Sequence, residues 1–507
     1  MDRAETDIEI DSLWGNYRGR VVAAVAETAK TRYSSLNEEV KIKKEVINLM
    51  RKIYFALVAV VLIAAMVMIG CGPKQPVSTE PIVIGYVGTV SSPGVKPCMD
   101  IMQIACDEIN AAGGVIGRPL KFVVEDSQGQ TSLAVAGATR MVLDHKALIY
   151  FVEGRSEICL AVTPKSVELY KERPHILFYQ GPMARELTTP VMEDYDTYKF
   201  CFRDYDPEDG HYSGIPTFFA LFKEVVGATK IAWLWEDLAW TKMWQNGIPG
   251  NNLPNWPDYA KQTYGLETVY NKPVRAKMGM YLPVLEGIAA SGAEVVFFCS
   301  SWYTDTDVFA KQWAESSAKD IQVCFYGGTS QTYDFWALTG GKCLGAISPF
   351  YEKEIPATTH GIEWLQMCDS KGIPVQNNVM IGYADIYLIK KLIEEVGNTN
   401  VEELIPALEG LYITDIGPVT LHGICGDKVS PFFHSRFDCD PRNPTLPNPI
   451  YLPDKLLTPI GQFQGNHNVV LLGTSFKSKE DPPRYKGEFA EPDKYKTPAQ
   501  LRQEAGW

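Results

Sequence analysis

The sequence predicts an α/β protein of two doubly wound, Rossmann-like lobes, and three observations lead to this prediction. Short apolar strands alternate with helix-length segments through residues 81–181. The same alternation starts again after the segment YKFCFRDYDPEDG at 198–210. The chain has 507 residues, which is long enough for two or three domains. Because strands that alternate with helices form a parallel sheet covered by helices, we expect two such sheets.

The first series of elements contains four strands and three helices. Apolar residues recur at a helical period in its helices, and the strand at 120–129 alternates apolar and polar residues. The strands are predicted at 81–90, 120–129, 147–154 and 175–181, and the helices at 97–112, 131–144 and 156–172.

The second series begins with a helix at 212–226 and has apolar strands separated by helices. Its strands are predicted at 230–237, 293–302 and 321–328, and two later helices at 382–396 and 401–410 precede a strand-like IGPVTLHG at 416–423. Beyond Ser430 the chain carries 11 of its 33 prolines in 77 residues. That density predicts an irregular extension over 431–507 with few regular elements.

Composition and motifs exclude several classes of function. Lys and Arg number 48 against 61 Asp and Glu, so the net charge of −13 gives no general electrostatic reason to bind nucleic acid. The sequence contains no GxGxxG, GxxxxGK[ST], GxSxG or HExxH motif, and its seven histidines are scattered singly. We therefore expect a protein that is not an enzyme and that uses no cofactor and no metal.

The N-terminal segment has the organisation of an export signal. Residues 53–70 form an uncharged apolar run that follows Arg51 and Lys52 and precedes Cys71. Read from Met50, this segment resembles a lipoprotein signal, which implies lipidation of Cys71 after cleavage at 70. On this interpretation, residues 1–49 come from an upstream start codon that the natural product does not use, and residues 71–81 form a tether. The alternative is that 1–49 are a cytoplasmic extension and 53–70 a permanent anchor.

Motifs in the first series resemble those of a known family. INAAGGVIGRPLKFVVEDSQG at 109–129 is similar to the early signature of type I periplasmic solute-binding proteins of the branched-chain amino-acid ABC transporter family. Gly113 and Gly114 suit a helix end because glycine adopts positive φ without strain. Further similar segments follow in the family's order, and the resemblance covers about residues 80–425: GRSEICLAVTP (154–164), FRDYDPEDG (202–210), WEDLAWT (235–241), VVFFCSSWYTDTDVFAKQW (295–313), GYADIYLIKKLIEEVG (382–397) and IGPVTL (416–421).

The resemblance implies the type I periplasmic-binding fold, in which three crossings join two lobes around a ligand cleft. We expect 82–205 plus 350–412 in the first lobe and 206–349 plus 413–430 in the second. The implied function is that of an extracytoplasmic lipoprotein that delivers a small organic ligand to the permease of an ABC importer. A branched-chain amino acid is the first expectation, and an aromatic or other carboxylate the second. The alternative is a membrane-anchored ligand-sensing domain of a signalling system.

Candidate ligand-binding residues of the first lobe lie in loops after its strands. By resemblance, backbone N–H groups and the Ser156 hydroxyl at a helix N-terminus hold a carboxylate, and Arg155 can pair with one. Ser156 can equally be a plain helix cap, Arg155 a surface or interlobe ion-pair residue, and the two loop serines simple loop polars. The candidates are Ser91, Ser92, Arg155, Ser156, Gln180 and Gly181.

Candidates of the second lobe are mainly aromatic residues after strand ends, where ring faces can bury apolar groups or stack on cations. An amino-acid ligand also needs an acidic partner for its ammonium group, and Glu236, Asp305 and Asp307 remain alternatives. The number of indoles leaves room for a bulkier or aromatic ligand. The candidates are Glu236, Trp240, Trp302, Tyr303, Thr329 and Tyr333, whereas Trp233, Trp235 and Trp244 are expected in the core.

Overall fold

A computed structural model provides the structure of the chain. It describes residues 50, 79–205, 215–247, 254–350, 360–417, 419–426, 428, 433–435, 458–466, 468–475, 489 and 491–507. The predicted apolar segment 53–70 and the predicted lipidation site Cys71 lie outside the described residues. Within those ranges, no helix combines the length and apolar character needed to cross a membrane.

The first sheet contains five parallel strands in the order β2-β1-β3-β4-β5. Its strands are β1 Ile82–Gly88, β2 Leu120–Asp126, β3 Ile149–Val152, β4 Ile176–Tyr179 and β5 Cys201–Arg203. The connecting helices are α1 Lys96–Ala111, α2 Thr131–Leu143, α3 Ser156–Glu172, α4 Thr189–Glu193 and α5 Tyr195–Tyr198. Strands β3 and β4 are buried along their whole length, as expected for a parallel sheet covered on both faces.

The second sheet has seven strands in the order β14-β13-β10-β9-β8-β6-β7. Its parallel strands are β6 Lys230–Glu236, β7 Glu267–Val274, β8 Val295–Cys299, β9 Gln322–Tyr326 and β10 Ile347–Pro349. The helices within this stretch are α6 Pro216–Glu224, α7 Lys242–Asn246, α8 Trp256–Tyr264, α9 Leu282–Ser291, α10 Thr306–Glu315 and α11 Asp334–Thr339. The predicted class of two parallel-sheet α/β lobes is therefore confirmed.

Strand β6 shows how this sequence builds a sheet with two covered faces. Ile231, Trp233 and Trp235 belong to one hydrophobic cluster, together with Trp244. Ala232 and Leu234 alternate with them and belong to a second cluster on the opposite face. The prediction that Trp233, Trp235 and Trp244 are core residues is confirmed, since all three are fully buried.

Helices that follow the second parallel strand series return to the core of the first lobe. They are α12 Gly361–Ser370, α13 Asn377–Val396 and α14 Val401–Leu408. Their apolar residues, such as Trp364, Ile389 and Leu404, share one cluster with the strands of the first sheet. The chain thus crosses between the lobes more than once.

The assignment of 413–430 to the second lobe is wrong. Strands β11 Tyr412–Ile416 and β12 Val419–Gly423 pair with each other as an antiparallel hairpin and with neither large sheet. The hairpin packs against α13, and Ile413 and Ile424 are buried in the core of the first lobe. Burial of these two side chains holds the segment on the first lobe.

The expectation of an irregular extension over 431–507 is also wrong for part of that segment. Strands β13 Thr458–Gly465 and β14 Asn468–Ser475 form a hairpin, and β13 pairs antiparallel with β10. Ile460 and Leu472 are buried in one cluster of the second lobe, and Phe463 in the other. A last helix, α15 Pro498–Ala505, begins with a capping box at Thr497. The segment thus completes the second sheet.

Candidate functional site

The strand order places the switch point of each sheet at a definite pair of loops. In the first sheet, β1 lies between β2 and β3, so the loops after β1 and β3 diverge at its carboxyl edge. In the second sheet, β6 lies between β7 and β8, so the loops after β6 and β8 do the same. Ligands of open parallel α/β sheets bind in such crevices, so these four loops are the candidate ligand-binding loops.

A buried glutamate occupies the switch point of the first sheet. Glu153 directly follows β3, is 0% exposed, and accepts a hydrogen bond through Oε2 from the backbone N–H of Thr89 after β1. Its Oε1 atom is buried and has no hydrogen-bond partner. Burial raises the pKa of the Glu153 carboxyl, although the contacts with Thr89 oppose the shift. Glu153 is not among the residues predicted from the sequence, where its signal is one charged position at the end of the apolar run ALIYFV.

Helix α3 begins beside this glutamate. Ser156 is its first residue, is buried, and accepts a weak hydrogen bond of 3.4 Å from the Ala184 N–H. The N-cap position belongs to Arg155, which makes no side-chain cap, so Ser156 is not the plain cap offered as an alternative. Of the two loop serines, Ser92 is buried and accepts from Gly94 N at 3.3 Å, whereas Ser91 is exposed.

Gln180 and Gly181 follow β4 and are held by residues of the first lobe. Gln180 is buried, accepts from the Tyr86 hydroxyl at 2.6 Å, and lies 3.6 Å from the Met102 sulfur. Gly181 has positive φ and donates its N–H to Asp204 at 2.9 Å. Burial, followed by the neighbouring carboxylate of Asp385, raises the pKa of Asp204 well above its usual range. The Gln180 side chain therefore makes its contacts in the core of the first lobe and not in the crevice.

A second buried glutamate occupies the switch point of the second sheet. Glu236 ends β6, is 0% exposed, and accepts from Ser301 Oγ at 2.7 Å and Thr304 Oγ1 at 2.6 Å after β8. Its other oxygen accepts from Trp240 Nε1 at 2.7 Å. Burial raises the pKa of Glu236, and these three donors oppose the shift. Glu236 thus fixes the loop after β8 and the ring of Trp240.

The other acidic candidates for an ammonium partner have structural contacts. Asp305 accepts from Gly279 N at 2.9 Å and also from the Tyr281 hydroxyl, so it holds the loop before α9. Asp307 pairs with Lys311 at 3.0 Å one turn along α10. Among the three acids named from the sequence, none has an unpartnered buried oxygen in the described structure.

Aromatic residues of the second lobe meet the first lobe at its switch point. Tyr303 lies beneath the guanidinium of Arg155, whose central carbon is 5.0 Å from the ring centroid. Trp302 lies against Gly94, where an added Cβ would come within 2.5 Å of Trp302 Cγ. Burial, and next the neighbouring Glu153, raises the pKa of the Tyr303 hydroxyl well above its usual range. Both rings therefore face the loops after β1 and β3.

One backbone hydrogen bond also joins the lobes. The N–H of Ala239, after β6, donates to Glu157 Oε1 on the first turn of α3 at 3.1 Å. Together with the Arg155–Tyr303 and Gly94–Trp302 contacts, this hydrogen bond joins the two lobes at the crevice. The crevice has an apolar aromatic wall on one side and backbone and carboxylate groups on the other.

Thr329 and Tyr333 lie along the next strand end of the second lobe. Thr329 Oγ1 is 3.0 Å from Thr306 Oγ1, and the Tyr333 ring packs edge-on against Phe350 at 4.8 Å. The structure therefore brings together Arg155, Tyr303, Trp302 and the loop of Ser92, while Thr329 and Tyr333 pack against neighbours in their own lobe.

The crossing between the lobes is held by a buried arginine. Arg203, at the end of β5, is 0% exposed and donates to Ala184 O at 2.8 Å and to Ser435 Oγ at 3.0 Å. It thereby ties the crossing strand to both the loop after β4 and a distant segment of the chain. Within the described residues, no group of three or more His, Cys, Asp or Glu side chains could hold a metal ion.

Comparisons with known proteins agree with this architecture. Leu/Ile/Val-binding protein homolog 3 of Brucella melitensis is 23% identical over 335 residues, which are 65% of this chain and 83% of that protein. A putative branched-chain amino acid ABC transporter structure from Silicibacter pomeroyi superimposes with a TM-score of 0.59 at 18% identity, covering 78% of this chain and 97% of the other.

A solute-binding protein from R. palustris, solved with 4-hydroxybenzoate, gives a TM-score of 0.57 at 16% identity, covering 79% of this chain and 98% of the other. These structural likenesses establish the fold. The sequence profile of the family described as periplasmic binding protein matches residues 81–428, which contain both switch points and the lobe crossing at Arg203. The chain therefore belongs to the periplasmic binding protein family, a family of binding proteins and not of enzymes.

Proposed function

We propose that this protein is an extracytoplasmic solute-binding protein that delivers a small organic ligand to an ABC importer. The observation that carries the proposal is the crevice between the two switch points, where Glu153 and Arg155 face Tyr303 and Trp302. A ligand in this crevice would touch groups from both lobes. Such a ligand favours the closed arrangement because its full set of contacts exists only there.

The ligand that we propose is an amino acid, with branched-chain types first, or an aromatic or other small carboxylate. The similar protein of Brucella melitensis is named for Leu, Ile and Val, and the similar structure from R. palustris holds 4-hydroxybenzoate. The aromatic side chains Trp302 and Tyr303 suit either an aliphatic side chain or a ring. The N-terminal turn of α3, with Ser156 buried within it, suits a carboxylate.

A thermal-shift screen of the purified protein tests this function. Only a molecule that binds the folded state raises the melting temperature, by an amount that grows with its concentration over its Kd. The screen should contain the twenty amino acids, hydroxybenzoates and simple aliphatic acids. We expect a shift of several degrees with at least one amino or aromatic acid. A flat response across all of these compounds would contradict the proposed ligand class.

We also propose that the mature chain is anchored by lipid on Cys71, with 53–70 as part of a cleaved signal. The order of Arg51, Lys52, the apolar run and Cys71 supports this proposal. Mass spectrometry of the N-terminus of the native protein should find an acylated Cys71. An intact N-terminus with no lipid would instead favour the membrane-anchored sensory alternative.

A further inference from the structure

Glu153 is a buried charge that the protein satisfies only in part. Its Oε2 accepts from Thr89 N–H, while its Oε1 has no hydrogen-bond partner although the residue is 0% exposed. A buried polar atom left without a partner lowers stability, and more so when it is charged. Since Glu153 lies beside the candidate binding crevice, a role in ligand binding explains this group, whereas a contribution to stability does not.

Glu236 shows that a buried glutamate at a switch point of this fold can be fully satisfied by its own lobe. Glu236 ends β6 and Glu153 directly follows β3, so each lies at the switch point of its sheet. Glu236 is saturated by Ser301, Thr304 and Trp240 within its own lobe. Glu153, which follows β3, is contacted by Thr89 through one oxygen only, so its Oε1 remains available to a bound molecule.

Burial raises the pKa of Glu153 by more than the charge of Arg155 lowers it. The Arg155 side chain donates to Gly129 O at 3.0 Å and lies over the Tyr303 ring, where it joins the two lobes. Burial, and next the charge of Glu153, raises the pKa of the Tyr303 hydroxyl, which belongs to the second lobe. Glu153 is therefore close enough to Tyr303 of the other lobe for the two groups to interact electrostatically.

Resting on the proposed function, we propose that Glu153 Oε1 accepts a hydrogen bond from the ligand and so determines the ligand class. The ligand is a small acid that also carries a hydrogen-bond donor, either an ammonium or a hydroxyl group. Carboxylates that lack such a donor leave the glutamate unpartnered and bind weakly. A site built to hydrogen-bond a substrate O–H or N–H discriminates strongly against analogues that lack it.

Matched ligand pairs test this inference by isothermal titration calorimetry. Leucine is compared with 4-methylpentanoate, which lacks the ammonium group, and 4-hydroxybenzoate with benzoate, which lacks the hydroxyl. In whichever pair binds the wild-type protein, we expect the donor-bearing member to bind at least tenfold more tightly. In Glu153→Gln, which keeps an oxygen for Thr89 N–H, that preference should fall to about threefold or less.

The control variant is Glu125→Gln, a largely buried glutamate of the same lobe whose oxygens already pair with Arg140 and His145. It should keep the wild-type preference. Equal binding of both members of a pair, or an unchanged preference in Glu153→Gln, overturns the inference and leaves the proposed function intact. If no amino, hydroxy or simple acid binds the wild-type protein at all, the proposed function fails and this inference fails with it.

Discussion

One buried glutamate lies at the switch point of each sheet, and the two differ in how the protein satisfies them. Glu236 accepts three side-chain hydrogen bonds and positions Trp240 and the loop after β8. Glu153 accepts one backbone hydrogen bond and leaves its second oxygen unpartnered. The first arrangement stabilises a wall of the crevice, whereas the second gives up stability at a place where a ligand can supply the missing contact.

This difference predicts a pH-dependent gain of stability in Glu153→Gln. Burial raises the pKa of Glu153, so the folded state holds this proton more tightly than the unfolded chain. Ionisation of Glu153 therefore lowers the folding stability as the pH rises from the ordinary carboxyl pKa through the raised pKa of the folded state. Below the ordinary carboxyl pKa this loss is absent. We expect Glu153→Gln to be about 1–3 kcal/mol more stable at pH 8, with the gain shrinking toward pH 4. Urea unfolding at both pH values measures it, and a variant less stable than wild type at pH 8 would contradict it.

Glu236→Gln should have the opposite effect on stability. The amide group of glutamine cannot accept from all of Ser301, Thr304 and Trp240, so one buried donor loses its partner. We expect a loss of about 1–3 kcal/mol in urea unfolding. The neighbouring Asp237→Asn is the control, since its ion pair with Lys242 is half-exposed and worth about 1 kcal/mol or less. Equal losses in the two variants would show that Glu236 has no special role.

The residue-scale predictions from the sequence depended on local signals. Trp233 and Trp235 could be assigned to the core because they alternate within an apolar strand, and the structure buries both. Ser156 could be placed at the start of α3 from the GRSE turn. Glu153 was missed because a single charged residue at a strand end is also what an ordinary strand boundary looks like. Only the strand order, which depends on long-range pairing, shows that it lies at a switch point.

At the scale of elements, the hairpin β13–β14 is the main difference from the sequence-based expectation. Prolines are frequent in the surrounding segment, 11 in 77 residues, and they favour an irregular chain. The local signal for a hairpin was the turn around Gly465 and Asn468, flanked by the apolar runs PIGQF and NVVLL. That signal predicts a hairpin but does not predict that the hairpin joins the second sheet. The pairing of Ile347 with Gln462 joins residues more than a hundred positions apart.

If the hairpin completes the second lobe, its buried face must contribute to stability. Phe463 is fully buried and packs edge-on against Phe350 at 5.6 Å between ring centroids. We expect Phe463→Ala to cost about 3–5 kcal/mol in chemical unfolding, as for other buried aromatic residues. Asn466→Ala, in the exposed turn of the same hairpin, should change stability by less than about 0.5 kcal/mol. A small loss for Phe463→Ala would mean that the hairpin is only a surface attachment.

At the scale of the whole molecule, three contacts between the lobes converge on the loops after β1, β3, β6 and β8. Arg155 lies on Tyr303, Ala239 donates to Glu157, and Trp302 lies against Gly94. These three contacts involve loops, and Met183 after β4 adds a buried contact with a core cluster of the second lobe. Interfaces of this kind can open without unfolding either lobe, which is what a ligand-dependent hinge requires.

Gly94→Ala tests whether this contact belongs to the closed state. An added methyl would lie 2.5 Å from Trp302 Cγ, a distance that the two loops cannot keep. Gly94 is not among the residues with positive φ, so alanine adds no backbone strain there. Separation of the lobes relieves the clash, so we expect roughly tenfold weaker ligand binding, about 1.4 kcal/mol, with unfolding stability nearly unchanged. Small-angle scattering should then show a smaller contraction on adding ligand.

A double-mutant cycle assigns the effect to the contact itself. In a Trp302→Ala background the methyl of Gly94→Ala has no indole to meet, so the same substitution should weaken binding by about threefold or less. The matched control is Gly113→Ala, far from the crevice, whose added Cβ meets nothing within 4 Å. Its positive φ of 109° makes it a probe of backbone strain, which lowers stability without lowering affinity. If Gly94→Ala weakens binding equally with and without Trp302, the loops after β1 and β8 do not meet in the ligand-bound state, and closure must proceed through other contacts.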